Sequence, residues 1–283
     1  MIKKIICIYN TEMRRTIFFC SLVLGVFALA QAVTTMFFVD VEVGEWFLNA
    51  HIVLELITVI IAIVSAGYIF ALHQHVSKSM LFLGAILGVS GLLDLLHIVS
   101  FPGIPPTIVF PSVNLTLYFW LAARLSIAFG FLVFAATLSI KRAKDNHAIL
   151  FLAIVAPFIL TAIVFWCVNT FYINLPELSY VFGLSIWKIF IEYVVISMFL
   201  TAAILLFLQA KEKKITIPYF LLSFLVISIG AEFHFTMYQT ILGIHVFWGH
   251  VFKVLAYFML VLGVLLPVRA IAHEEKKDEL SFR

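Results

Sequence analysis

Apolar runs, each about as long as a helix needs to cross a bilayer, alternate along the chain with short polar turns. Eight are visible, over residues 16–39, 50–72, 80–100, 115–140, 148–168, 186–208, 218–239 and 249–268. Breakers or charges mark the connections. An acidic loop carries Asp40, Glu42 and Glu45; a polar turn, HQHVSKS, covers 73–79; and FPGIPPTIVFPSVN, at 101–114, holds four of the eight prolines. Basic turns follow the fourth and sixth runs, with Lys141, Arg142 and Lys144 in one and Lys211, Lys213 and Lys214 in the other. The pattern predicts an all-α polytopic membrane protein, a helical bundle of eight transmembrane helices. Residues 1–15 form its N-terminal segment, 16–268 the membrane domain and 269–283 a charged helical stub.

Composition excludes a soluble domain, since 64% of the residues are hydrophobic and only 12% charged, against about a quarter charged in globular chains. The first run is longer than the apolar core of a signal peptide and lacks a cleavage site, so it reads as a retained helix. Charge then orients the bundle. Of the 18 Lys and Arg, fifteen fall in the N-terminal segment, the turns after the second, fourth and sixth runs, and the C-terminal tail; the other three are intramembrane. By the positive-inside rule both termini are cytoplasmic, in a multi-pass protein of the cell (inner or plasma) membrane. No basic cluster interleaved with aromatics suggests nucleic acid. Cys7, Cys20 and Cys167 form no CxxC pair. Trp46, Trp120, Trp166, Trp187 and Trp248 lie toward the outer ends of the runs, where an aromatic belt is expected for most of them.

The stretch 231–253, AEFHFTMYQTILGIHVFWGHVFK, changes this plain picture, because it carries Glu232, His234, Tyr238, His245, His250 and Lys253 beside two apolar runs. A charge at a helix centre costs about 2.5–3.5 kcal/mol, so these residues need partners. Other runs contain His51, Glu55, Asp94, His97, Arg124, Lys188 and Glu192. All fall in the outer third to half, with Arg124 somewhat deeper. His51/Glu55 and Lys188/Glu192 are spaced i,i+4, and Asp94/His97 and His250/Lys253 i,i+3, so each pair shares a helix face. Glu232 and His234 are about 200° apart around a helix; His234 shares its face with Tyr238, and Glu232 is the one expected in the cluster. A self-compensated ion network would account for part of this set. Four carboxylates and up to four imidazoles against three cations nevertheless leave a surplus of ligand atoms. On that count, neutralising Glu55 or Asp94 is expected to leave the ligand-free fold as stable as before. His51, Glu55, Asp94, His97, Glu232 and His250 can supply metal ligands, two opposed histidines can hold a haem, and an aromatic-rich outer cavity can take a quinone or lipid.

HIVLELITVI, GLLDLLHIVSFPG, WLAAR, GLSIWKIFIEY and SIGAEFHFTMYQTILGIHVFWGHVFK occur in that order. This series resembles the third type of bacterial and archaeal membrane-associated sensor domain, over about residues 20–270. The resemblance implies an input module of sensor kinases or cyclic-di-GMP enzymes, usually followed by an output domain. The family's polar positions look like His51, Glu55, Asp94, His97, Trp120, Arg124, Lys188, Glu192, Glu232, His250 and Lys253. Here only about 15 residues follow the eighth run, so a separate kinase or cyclic-di-GMP enzyme is the expected partner, beside the lipid bilayer itself. Oligomer formation is left open.

The leading expectation is a sensory module that binds a small ligand, cofactor or metal in an outer polar pocket. The alternative is a membrane-embedded metal-dependent enzyme, hydrolase-like, in which a bound metal activates water and a spare carboxylate moves protons. A transporter is disfavoured, because Pro157 and Pro218 do not form a pair of broken helices in corresponding halves.

Overall fold

A computed structural model describes residues 46–106, 108–138, 147–180, 183–213 and 219–281, together with five helical positions between 22 and 33. The expected first span, 16–39, therefore lies largely outside the described residues. Seven α-helices follow from residue 46: α1 (Trp46–Ala71), α2 (Lys78–Val99), α3 (Val113–Ala136), α4 (His147–Phe171), α5 (Ile186–Lys213), α6 (Tyr219–Phe235) and α7 (Ile244–Ser281). Six helices among the described residues are long and apolar enough to cross a membrane, and the apolar stretch Phe220–Phe235 of α6 is shorter.

Six of the helices close a ring. α1 packs on α2, α2 on α3, α3 on α5, α5 on α6, α6 on α7, and α7 back on α1. The remaining helix, α4, stands outside against α2, and only 6% of its most apolar stretch is buried. Its sequence explains this position: HAILFLAIVAPFILTAIVFWCVNTF carries apolar residues all round and no carboxylate or ammonium that must be hidden from lipid. Small residues let backbones approach where helices meet. A β-carbon on Gly88 would lie 2.9 Å from Cγ of Pro157 in α4, and one on Gly130 would lie 2.2 Å from Cγ2 of Ile86. Phe131, Phe134, Phe199, Phe224 and Tyr257 fill the ring interior.

Ser77 and Ser112 cap α2 and α3, their hydroxyls accepting from the backbone N–H groups of Met80 and Leu115. The proline-rich segment is non-helical, as its composition predicts. Between α4 and α5 lies a two-residue antiparallel pairing, Ser179–Tyr180 with Gly183–Leu184. Asn114 Oδ1 fastens this loop to α3 by accepting from Leu178 N and Ser179 N. Two boundaries depart from expectation. α6 stops at Phe235 rather than continuing to 239, and α7 starts at Ile244 rather than 249, so residues 236–243 form a connection that carries Tyr238 away from the His234 face.

If the positive-inside reading holds, a lone cysteine replacing exposed Glu177 will react with an impermeant maleimide on intact cells, and one replacing exposed Gln74 only after permeabilisation. The opposite pattern would invert the bundle. Gly130→Val should lower the thermal midpoint in detergent by the equivalent of about 1–3 kcal/mol, since Cβ of Ile86 is also only 2.8 Å from the added carbon.

Candidate functional site

Every helix of the ring sends polar residues to one end of the bundle, and α4 sends none. His51 and Glu55 occupy the early turns of α1, Asp94 and His97 the last turns of α2, Trp120 and Arg124 the first half of α3, and Lys188 and Glu192 the start of α5. Glu232 lies near the end of α6, and His250 and Lys253 lie near the start of α7. All eleven are buried.

The charges are linked as a chain. Lys253 Nζ donates to Glu55 Oε2 (2.6 Å) and to Asp94 Oδ1 (3.2 Å). Asp94 Oδ2 accepts from Arg124 Nη2 (2.9 Å), which also donates to the hydroxyl of Tyr257 (2.9 Å). Asp94 thus bridges two cations from two helices. This corrects the expectation that Glu55 and Asp94 are surplus: each has an ammonium beside it, and removing Asp94 would strand two buried cations. The surplus sits elsewhere. Lys188 pairs with Glu192 and donates to the carbonyl of Phe235, and Glu232 interacts electrostatically with both Glu192 and Lys188, so two carboxyl groups meet around one ammonium.

Above these charges lies a chamber with two unlike walls. One is imidazole. His51 stands edge-on to His250 (ring centroids 4.4 Å apart) and to His97 (5.5 Å), and nitrogens of the three lie within 4.8 Å of one another. The other wall is aromatic and cationic, with Lys188 Nζ 5.1 Å from the Trp120 ring centroid and 4.5 Å from that of Tyr238. Phe101, 4.2 Å from the His51 ring, and Ile241 separate the chamber from a wider recess at the bundle end lined by Trp46, Leu48, Asn49 and Pro102. Free space inside is about 30 Å³, room for an ion or water and far too little for a porphyrin.

The expected metal set divides. His51, His97 and His250 converge, with Glu55 Oε1 3.0 Å from His250 Nε2; Asp94 is taken up by Arg124 and Lys253, and Glu232 by the Glu192 side. Trp120 is 2% exposed and lines the chamber, so it is no part of an interfacial belt, whereas Trp46, Trp166 and Trp187 are exposed. His234 turns away to His245, their Nδ1 atoms 3.3 Å apart. Sequence reasoning missed Thr116, whose carbonyl orients His97, and Tyr257, although Tyr257 stands one turn after Lys253 on the same face of α7. Tyr238 was placed on the wrong face. In its loop, burial first and the Glu192 carboxylate second hold its hydroxyl above the usual tyrosine range.

A family model described as a membrane-associated sensor domain, MASE3, matches residues 44–267. The chain belongs to this family. The MASE3 match begins just before α1, ends at residue 267 within α7, and includes all the chamber residues. No curated protein and no solved structure matches the chain.

The ion chain yields a stability ordering. Asp94→Asn should destabilise the ligand-free protein in detergent by about 3–5 kcal/mol, as breaking a buried pair from one side does. Glu232→Gln should leave the thermal midpoint unchanged or raised, because it relieves a carboxyl–carboxyl contact. Equal losses in both variants would remove the distinction between a compensated half and a surplus half.

Proposed function

We propose that this MASE3 domain is a sensory input module in which occupancy of the polar chamber, at the outer side of the membrane, is passed inward as a displacement of α7. The observation that carries this reading is the continuity of α7. It is a single 38-residue helix, Ile244–Ser281, about 57 Å long at 1.5 Å per residue, against a hydrocarbon layer of about 30 Å. Its first turns hold His250 in the chamber wall and Lys253 between Glu55 and Asp94. A ligand that draws on His250, or changes how Lys253 is shared between α1 and α2, acts directly on the rod that leaves the other side. The orientation follows from the Lys and Arg segregation, and the recipient is a signalling protein or domain docked at the cytoplasmic end. Helix shifts of about 1–2 Å at packed interfaces are within the repertoire of allosteric transitions.

The enzyme alternative gains less support. It requires a carboxylate free to move protons beside the histidines, but Glu55 is held by Lys253 and Asp94 by two cations.

Spin labels at positions 74 and 275, at the ends of the bundle away from the chamber, report the displacement by pulsed dipolar spectroscopy. Glu55→Gln, which loosens Lys253 from α1, should shift or broaden that distance distribution. Phe151→Ala on the exposed face of α4 should not. An unchanged distribution in Glu55→Gln would sink the α7 coupling.

A further inference from the structure

Among the buried polar atoms of the chamber, those without a hydrogen-bond partner are concentrated on the imidazole wall. Both nitrogens of His51 lack one, as do Nε2 of His97, Nε2 of His250 and Oε1 of Glu55. Leaving several such atoms unpaired in one buried place is costly, and their arrangement is not random. Nδ1 of His97 lies 2.9 Å from the carbonyl of Thr116, and Nδ1 of His250 lies 2.6 Å from the carbonyl of Val246. A carbonyl only accepts, so each Nδ1 carries a proton, and in the neutral ring the lone pair of Nε2 is the one turned into the chamber. This is how metal-binding histidines are oriented by a backbone acceptor behind them. Nε2 of His250 faces Glu55 Oε1 at 3.0 Å, a contact that needs a positive charge between the two atoms, either a second proton on His250 or a bound ion. The two unpaired nitrogens of His51 and the free Nε2 of His97 beside it favour the ion, since a proton on His250 would leave all three without a partner.

We infer that His51, His97 and His250 form a binding site for a divalent first-row transition ion of borderline softness, such as zinc, with Glu55 Oε1 as the fourth ligand. Three imidazoles and one carboxylate suit tetrahedral zinc and its neighbours better than calcium or magnesium, which take oxygen cages. With metal–nitrogen bonds of about 2.0–2.1 Å, tetrahedral ligands stand about 3.3–3.4 Å apart. Nitrogens already within 4.8 Å reach that spacing by small ring rotations. The free space of about 30 Å³ suits an ion that has shed its water shell. Beside the histidines the fixed charges balance, Glu55 and Asp94 against Lys253 and Arg124, and Glu55 Oε1, which has no hydrogen-bond partner, is the oxygen left for an ion. The ion would bridge α1, α2 and α7, and so deepens the sensory reading by naming the class of ligand whose arrival moves α7. The site itself rests on the nitrogen geometry alone.

The test uses the full chain, purified in detergent, stripped with chelator and titrated with Co²⁺ as a spectroscopic stand-in for Zn²⁺. The expected result is one Co²⁺ per chain with the intense visible bands of a tetrahedral nitrogen-rich site, displaced by Zn²⁺, and a raised thermal midpoint. His51→Ala is the cleanest variant, since His51 makes no hydrogen bond in the ligand-free fold; it should weaken Co²⁺ binding at least 100-fold while the protein stays monodisperse. His97→Gln serves as the second variant and should do the same. Co²⁺ bound unchanged in both, or lost only on His234→Ala, would assign the ion to other histidines and overturn the site. So would no binding at all, with nitrogen NMR showing His250 doubly protonated against Glu55. The spin-label distance separates the two proposals. If Co²⁺ fails to bind but Glu55→Gln still shifts that distance, the metal falls and the sensory coupling stands; if Co²⁺ binds and the distance never changes, the site stands and the coupling falls.

Discussion

A buried carboxylate shared by two cations is the constraint on which the arrangement of the helices depends. In lipid, apolar side chains gain little by choosing one another over acyl chains, so hydrophobicity places the helices in the membrane without deciding which faces meet. Asp94 decides it for three of them. Its two oxygens, 2.9 Å from Arg124 and 3.2 Å from Lys253, set the rotation of α2 against α3 and α7, and Lys253 passes the register to α1 through Glu55. A turn of about 100° in any of these helices, one residue's worth, would put an ion against lipid at a cost of several kcal/mol.

Much of this was legible because charge is so scarce. With 12% charged residues, each Asp, Glu, Lys or Arg inside an apolar run stands out, and spacings of three and four residues already put His51 with Glu55 and His250 with Lys253 on common faces. The six ring helices are the ones carrying such residues, and α4, which carries none, is the one left outside. That distinction could have been drawn from the string 148–168 alone. What the sequence concealed was pairing. Counting four carboxylates against three cations suggested that Glu55 and Asp94 were surplus, but a count does not reveal that one carboxylate can bridge two cations. The surplus lies with Glu232 and Glu192, a turn of the ring away.

Helix ends were the other blind spot. The apolar pattern continues past Phe235, so nothing in the periodicity announced that α6 stops there. Four residues of difference take Tyr238 from the His234 face and put its ring against the Lys188 ammonium. Likewise the histidines' roles turn on carbonyls. Thr116 and Val246 fix the tautomers of His97 and His250 through backbone atoms, which no choice of side chain at those positions would disclose.

A continuous α-helix conveys some motions and loses others. Rotation about its axis and sliding along it pass down a helix more readily than sideways tilt, which depends on what grips it along the way. Since each residue advances the helix by about 100°, α7 has an angular phase. Adding seven residues after the ring would restore nearly the same heading, within about 20°, and adding four would turn it by about 40°. Under the proposed coupling, a reader of this helix takes a compass bearing set at His250, and chain length, counted in residues, is part of the signal.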